Sequence, residues 1–224
     1  MLLIFFHALL EIYGEQHWWP CRSGGRWEIV AGAVLVQNTA WTNVEKALDN
    51  LEASGRTTPE CVLSVPDGDL QELIRPAGFF KQKCAYLKAA AEFFLTHEAV
   101  FLKSADIPAL RRQLLAVRGI GKETADDILL YAFRKPVFII DSYTRRVAER
   151  HLRMDGNLPY ETLQKQFMDA LPCDAGLYGE YHALILALGK DSCRKSGCGA
   201  ACRRLREKVG SRPEILQQFH RQMQ

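Results

Sequence analysis

Apolar residues recur three and four positions apart along most of the chain, and no stretch alternates apolar with polar side chains over the length of a strand. WEIVAGAVLVQ (27–37), VEKALDNLEA (44–53), LQELI (70–74), KCAYLKAAAEFFLTH (83–97), LRRQLLAV (110–117) and KETADDILLYAF (122–133) all carry this period. So do SYTRRVAERHL (142–152), YETLQKQFMDAL (160–171) and GLYGEYHALILALGK (176–190), with a basic tail beyond. The pattern predicts an all-α protein. Its connectors hold the helix breakers: Pro59, Pro66-Asp67-Gly68, Pro76-Ala77-Gly78, Pro108, Pro136, Gly156 and Pro159. PVFII (136–140) is apolar enough for a short strand, but in a helical chain it reads as a buried connector. The opening MLLIFFHALLEIYGEQ lacks a basic n-region and a small-residue cleavage site, so it reads as a core-facing helix and not as a signal peptide. No apolar run approaches the length of a membrane span.

With 224 residues the chain can bury a real core, as one large domain or as two small lobes. The net charge is only +3, but it is unevenly spread. From Arg111 to Arg153 ten Lys/Arg face five Asp/Glu, and from Arg194 to Arg212 seven face one. Concentrated basic charge suits a polyanion such as nucleic acid, although two solvated helix faces would give the same count. The cysteines number seven, and Cys21, Cys61, Cys84 and Cys173 are scattered without pattern, which predicts a reduced, cytoplasmic protein.

The most informative stretch is LLAVRGIGKETADDILLYAF (114–133). Gly119 and Gly121 flank one apolar residue, so a helix ending near Val117 can double back into another starting near Lys122, through φ values that a Cβ resists. The first amides of the second helix then point outward with the positive end of the helix dipole behind them, an arrangement that grips an anion. Ile120 would turn inward, and Lys122 would add charge beside a bound phosphate. Further along, IIDSYTRRV places Asp141 just before a helix. Aspartate is a favoured N-cap, and an ionised carboxylate there could also stabilise a sugar cation and help activate water.

These segments resemble the endonuclease III superfamily of DNA glycosylases, with its helix-hairpin-helix, Gly/Pro-rich loop and aspartate. WEIVAGAVLVQNTAWTNVEKAL (27–48) is similar to the family's early helix with its Gln-x-Thr, and RPAGFFKQKCAYL (75–87) to its Gly-aromatic-x-x-Lys segment. The resemblance implies a two-lobed, all-α fold with a central cleft: residues 25–133 in one lobe, residues 1–24 with 134–224 in the other. It implies double-stranded DNA containing a damaged base as partner, and a monomer. Arg118, Gly119, Ile120, Gly121, Lys122 and Thr124 would hold the DNA backbone, and Asp141 would be catalytic. In bifunctional members a lysine stands at the position of Glu123. A carboxylate cannot form a Schiff base, which leaves water attack assisted by Asp141.

GIGKETAD (119–126) and HWWP (17–20) bring the chain closest to the monofunctional 3-methyladenine branch. An extruded methylated purine is cationic within its nucleotide and is attracted to electron-rich rings by about 1–2 kcal/mol. Trp18, Trp19, Pro20 and Trp41 are the expected base pocket. Gln37 matches the family residue that fills the vacated space, and Phe79 the apolar wedge. Glycosylases for oxidised or mismatched bases, and a non-catalytic DNA-binding module, are the alternatives.

Many superfamily members hold a [4Fe–4S] cluster near the C-terminus on four cysteines with six, two and five intervening residues. Here Cys193-x4-Cys198-x3-Cys202 offers three at other intervals, with Cys173 too far upstream to serve as a fourth, and a structural zinc site would also want four ligands, so the expectation is no cofactor, neither cluster nor zinc, but a relic whose Arg194, Lys195, Arg203, Arg204 and Arg206 still meet phosphates. Lys190, at the end of an apolar run, is expected to be partly buried and open to modification as a carbamate.

Overall fold

The computed structural model describes residues 1–20 and 25–210; Cys21 and the basic Arg212 lie outside the described residues. Among the described residues the regular structure is helical apart from one hairpin of two two-residue strands, and no helix is long and apolar enough to cross a membrane. In chain order the helices are α1 (Leu2–Tyr13), α2 (Arg26–Leu35), α3 (Trp41–Ala53), α4 (Pro59–Ser64), α5 (Asp67–Leu73) and α6 (Phe80–Lys103). Then come α7 (Ile107–Leu115), α8 (Lys122–Asp127), α9 (Ser142–Leu152), α10 (Tyr160–Ala170), α11 (Ala175–Asp191) and α12 (Ala200–Gly210). The hairpin β1 (Cys193–Arg194) and β2 (Gly197–Cys198) pairs antiparallel ahead of α12. The chain divides into two compact units, Trp19–Lys135 and the combination of Met1–Trp18 with Pro136–Gln224.

In the Trp19–Lys135 unit, α2 is buried on most of its surface and packs on α6. Its sequence explains this: Val30, Ala31, Ala33, Val34 and Leu35 leave no polar face beyond the first turn. The helix read from 122 to 133 is not one regular α-helix. α8 gives way to a π-helical turn over Ile128–Ala132, closed by the Phe133 amide on the Ile128 carbonyl at 3.3 Å. Every side chain of that turn is buried, so packing sets its winding. α7 is clipped to α8 by a two-pronged ion pair: Arg111 Nε donates to Asp126 Oδ1 at 2.7 Å, and Arg111 Nη2 to Asp126 Oδ2 at 3.1 Å. Asp126 is fully buried, so losing the arginine would strand a carboxylate at a cost of roughly 3–5 kcal/mol.

In the other unit, α1 turns Leu2, Ile4, Phe5, Phe6, Ala8 and Leu9 inward and packs on α11 and α12. Each of its larger side chains contributes roughly 1.5–3 kcal/mol by leaving water. The 136–140 segment is a buried non-helical connector, in which Phe138 stacks on Phe167 with centroids 4.4 Å apart. Gln164 Nε2 donates to the Phe138 carbonyl at 2.6 Å, the Thr144 hydroxyl to the Ile139 carbonyl at 3.3 Å, and the Ile140 amide to Tyr160 Oη at 3.3 Å, so side chains serve backbone groups that a strand partner would otherwise meet. It delivers the chain straight to Asp141 and the start of α9.

Candidate functional site

The Gly119–Gly121 corner joins α7 to α8, and the two glycines do different work. Gly119 lies at φ +87°, and a Cβ there would sit 2.1 Å from the Tyr86 ring, so both backbone conformation and space demand glycine. Gly121 has ordinary extended backbone, φ −89°, with open space where its Cβ would be. The expectation that both glycines take φ values hostile to a side chain is therefore corrected: only Gly119 does. Ile120 is buried, as its apolar character between the glycines predicts. Arg118, Lys122 and Glu123 are exposed around it, with Glu123 in the first turn of α8.

Gln37 faces this corner. Its Nε2 donates to the Gly119 carbonyl at 3.0 Å and to Thr124 Oγ1 at 3.1 Å. Thr124 is buried, so its hydroxyl braces the corner from inside and is not displayed toward a ligand as expected. Phe79 is 65% exposed and sits in left-handed backbone at φ 46°. Close by in the chain, Lys83, which sequence reasoning left without a role, is buried, and its Nζ donates to the Leu35 and Ala77 carbonyls, both at 2.8 Å. Burial lowers Lys83 to about 8.

Trp19 and Trp41 meet edge to face with centroids 5.0 Å apart, and Tyr131 lies 5.4 Å from Trp19. Gly32 makes room, since a Cβ at that position would stand 2.8 Å from Trp19 Cζ2. Tyr131, on the π-turn, thus joins the aromatic group that sequence reasoning drew from Trp18, Trp19, Pro20 and Trp41. Pro20 is exposed. Lys190 Nζ lies 5.6 Å from the ring centroid of Trp18. Lys190 is exposed, which corrects the expectation of a partly buried amine and removes the ground for a carbamate.

Asp141 is the N-cap of α9, with Oδ1 accepting from the Thr144 amide at 2.6 Å. The residue is only 8% exposed, so its carboxylate lies at a helix mouth and not on an open surface. The cap engages one oxygen; the other, Oδ2, lies 3.9 Å from His182 Nε2. Burial lowers His182 below its ordinary 6.5, opposed by Asp141 and reinforced by Lys190, so the imidazole is neutral at neutral pH. Sequence reasoning did not single out His182, which sits in the apolar stretch of α11 as any core residue would.

The three C-terminal cysteines also come together, and with a fourth donor from α9. His151, Cys193, Cys198 and Cys202 place one donor atom each within 4.8 Å of one another.

Residues 31–173 match the profile of the HhH-GPD superfamily of base excision DNA repair proteins. The chain is 39% identical over 206 residues to MJ1434 of Methanocaldococcus jannaschii, a candidate DNA repair glycosylase by name, covering 90% of this chain and 93% of that protein. It is 26% identical over 166 residues to endonuclease III of Thermotoga maritima, 74% of each chain. Among solved structures it superposes on the H. pylori 3-methyladenine DNA glycosylase MagIII, bound to 1,N6-ethenoadenine, with TM-score 0.68 and 26% identity, covering 84% of this chain and 96% of that one. The chain belongs to the HhH-GPD superfamily of base excision DNA repair glycosylases. Its fold and its DNA-directed chemistry follow from that membership.

Proposed function

We propose that the chain is a monofunctional glycosylase that releases alkylated purines from double-stranded DNA, 3-methyladenine first, acting as a monomer. The observation that carries the reading is Glu123, an acid in the first turn of α8 where bifunctional relatives place the attacking lysine. With no amine there, the route is hydrolysis: Asp141 stabilises the sugar cation as the bond to the base breaks and orients water onto it. A neutral His182 beside Oδ2 supports this role, because it leaves the carboxylate's charge uncancelled. The Trp19–Trp41–Tyr131 group supports a cationic purine as the substrate, since its ring faces attract positive charge. Phe79 supports the wedge and Gln37 the filler, and exposed Arg118 and Lys122 flank the corner that would hold the phosphates. The likeness to a 3-methyladenine glycosylase bound to an alkylated purine points the same way.

Duplexes carrying single 3-methyladenine, 7-methylguanine, ethenoadenine, thymine glycol or mismatched thymine test the substrate class. Release of the alkylated purines with intact abasic strands is expected; preferential release of thymine glycol would overturn the reading in favour of an endonuclease III-like activity. Asp141→Asn tests the mechanism, because asparagine caps a helix as well as aspartate but carries no charge. Base release should fall at least about 100-fold with stability unchanged.

A further inference from the structure

We infer that His151, Cys193, Cys198 and Cys202 form a closed, four-coordinate site for one zinc ion. β1 and β2 pair Cys193 directly opposite Cys198, and α12 brings Cys202 up beneath them. The last turn of α9 supplies His151, whose Nε2 stands 3.9 Å from Cys198 Sγ. Cys193 and Cys202 are fully buried, and His151 and Cys198 half-buried, so the donors converge on a point shielded from water. His151 Nδ1 is buried without a hydrogen-bond partner among the described residues, and Nε2 reaches only a thiol sulfur. An imidazole so poorly served is costly unless it has an ion to bind.

The donor set does not fit the [4Fe–4S] cluster of the superfamily. It offers three thiolates and an imidazole, and its four donor atoms lie within 4.8 Å of one another. A four-iron cube binds each thiolate at a different iron and so holds its ligands well apart. Donors around a single zinc ion at ~2.0–2.3 Å stand roughly 3.3–3.8 Å apart, which small side-chain rotations reach from here. Soft thiolates with an imidazole select zinc over hard cations. Three thiolates on a divalent ion leave one negative charge, and the surroundings meet it. Arg150 Nη1 lies 3.8 Å from Cys193 Sγ and donates to the Arg194 carbonyl at 2.6 Å; Arg146 Nε donates to the Cys193 carbonyl at 2.6 Å. With four protein ligands the ion has no open position, so its role is structural. It ties the end of α9, the helix capped by Asp141, to the loop and helix that display Arg194, Lys195, Arg203, Arg204 and Arg206.

The test is elemental analysis of the full chain purified from cells grown with both zinc and iron available. One zinc per chain is expected, without inorganic sulfide or visible absorption. Replacing zinc by cobalt should give the intense visible bands of a tetrahedral thiolate site. Iron with stoichiometric sulfide would overturn the inference, and so would a chain that purifies metal-free and takes up no zinc under reducing conditions. His151→Ala should weaken zinc binding by more than the roughly 10–100-fold typical of losing an outer-shell partner, whereas His151→Cys should retain the ion. An alanine variant with undiminished zinc affinity and an unchanged cobalt spectrum would remove His151 from the site and overturn it.

Discussion

Gln37 donates its side-chain amide to the Gly119 carbonyl at 3.0 Å, which ties the chain just beyond α2 to the tightest point of the α7–α8 corner. The same amide reaches Thr124 Oγ1, so one side chain braces the corner on both sides of its turn. Gln37→Leu removes both bonds and strands a half-buried carbonyl, so unfolding free energy should fall by roughly 1–2 kcal/mol in a urea titration. If Gln37 also fills the gap left by an extruded base, release of the damaged base should fall by more than this loss of stability accounts for. A variant with normal stability would show that the two bonds are dispensable.

Gly119 and Gly121 give a sharper contrast. Gly119→Ala combines a disfavoured φ with a clash against the Tyr86 ring, and should destabilise the chain by roughly 2–4 kcal/mol. Gly121→Ala meets neither obstacle and should leave the unfolding midpoint unchanged. If the corner grips DNA as proposed, its effect should instead appear in affinity for undamaged duplex, because the added methyl group would stand in the open space beside the backbone where a phosphate would approach. Equal stability losses in the two variants would contradict this division of labour.

This contrast marks how far the sequence could be read. Gly-Ile-Gly ahead of a helical period announced the corner, but sequence shows only that a Cβ is missing, not whether conformation, a neighbouring ring or a ligand excludes it. α9 was legible in full over 142–152 because an aspartate cap stands before a clean apolar stripe. α4 is too short to display a period, and α12 buries only Ala201, Cys202 and Leu205 among its charges, so neither stood out. Trp18 and Trp19 are assigned to one pocket from the chemistry of a cationic base and from the resemblance, and neither of these says which side chains surround each ring. The structure adds Lys190 beside the Trp18 ring and Trp41 with Tyr131 beside Trp19, none of which adjacency in sequence could supply. His151 gave no signal, since the partners that define it come from a hairpin and helix far along the chain.

Lys83 holds two backbone carbonyls from inside the fold, at the ends of α2 and of the short turn before Phe79. Lys83→Met leaves both unpaired and should cost roughly 2–4 kcal/mol near neutral pH. The cost should also depend on pH. The buried amine releases its proton at about 8, while the unfolded chain holds it to about 10.5. Between these values the unfolded state binds more protons, so wild-type stability rises with pH, and the neutral amine can still donate to both carbonyls. The deficit of Lys83→Met should therefore widen from about pH 8 to 10.5 when the two proteins are unfolded side by side. A deficit constant across that range would mean that Lys83 titrates as an ordinary surface lysine.

His182 sets the acid side of the stability profile. Its folded-state pKa lies below the ordinary 6.5, chiefly through burial, so the native chain keeps the ring neutral while the unfolded chain protonates it. The unfolded state then binds more protons below about pH 6.5, and stability is lost as pH falls through that value. His182→Gln removes the term, so its unfolding free energy should decline less than that of wild type between about pH 7.5 and 5.5. The two roles of the ring separate by readout. A purely structural histidine changes this slope alone. A ring that also sustains the charge of Asp141 by staying neutral, 3.9 Å from Oδ2, makes a further demand: His182→Arg, whose guanidinium stays protonated even when buried, should depress base release at neutral pH well beyond any loss of folded protein, whereas His182→Gln should largely retain it. Equal catalytic losses in the two variants, at matched folded fractions, would reduce His182 to packing.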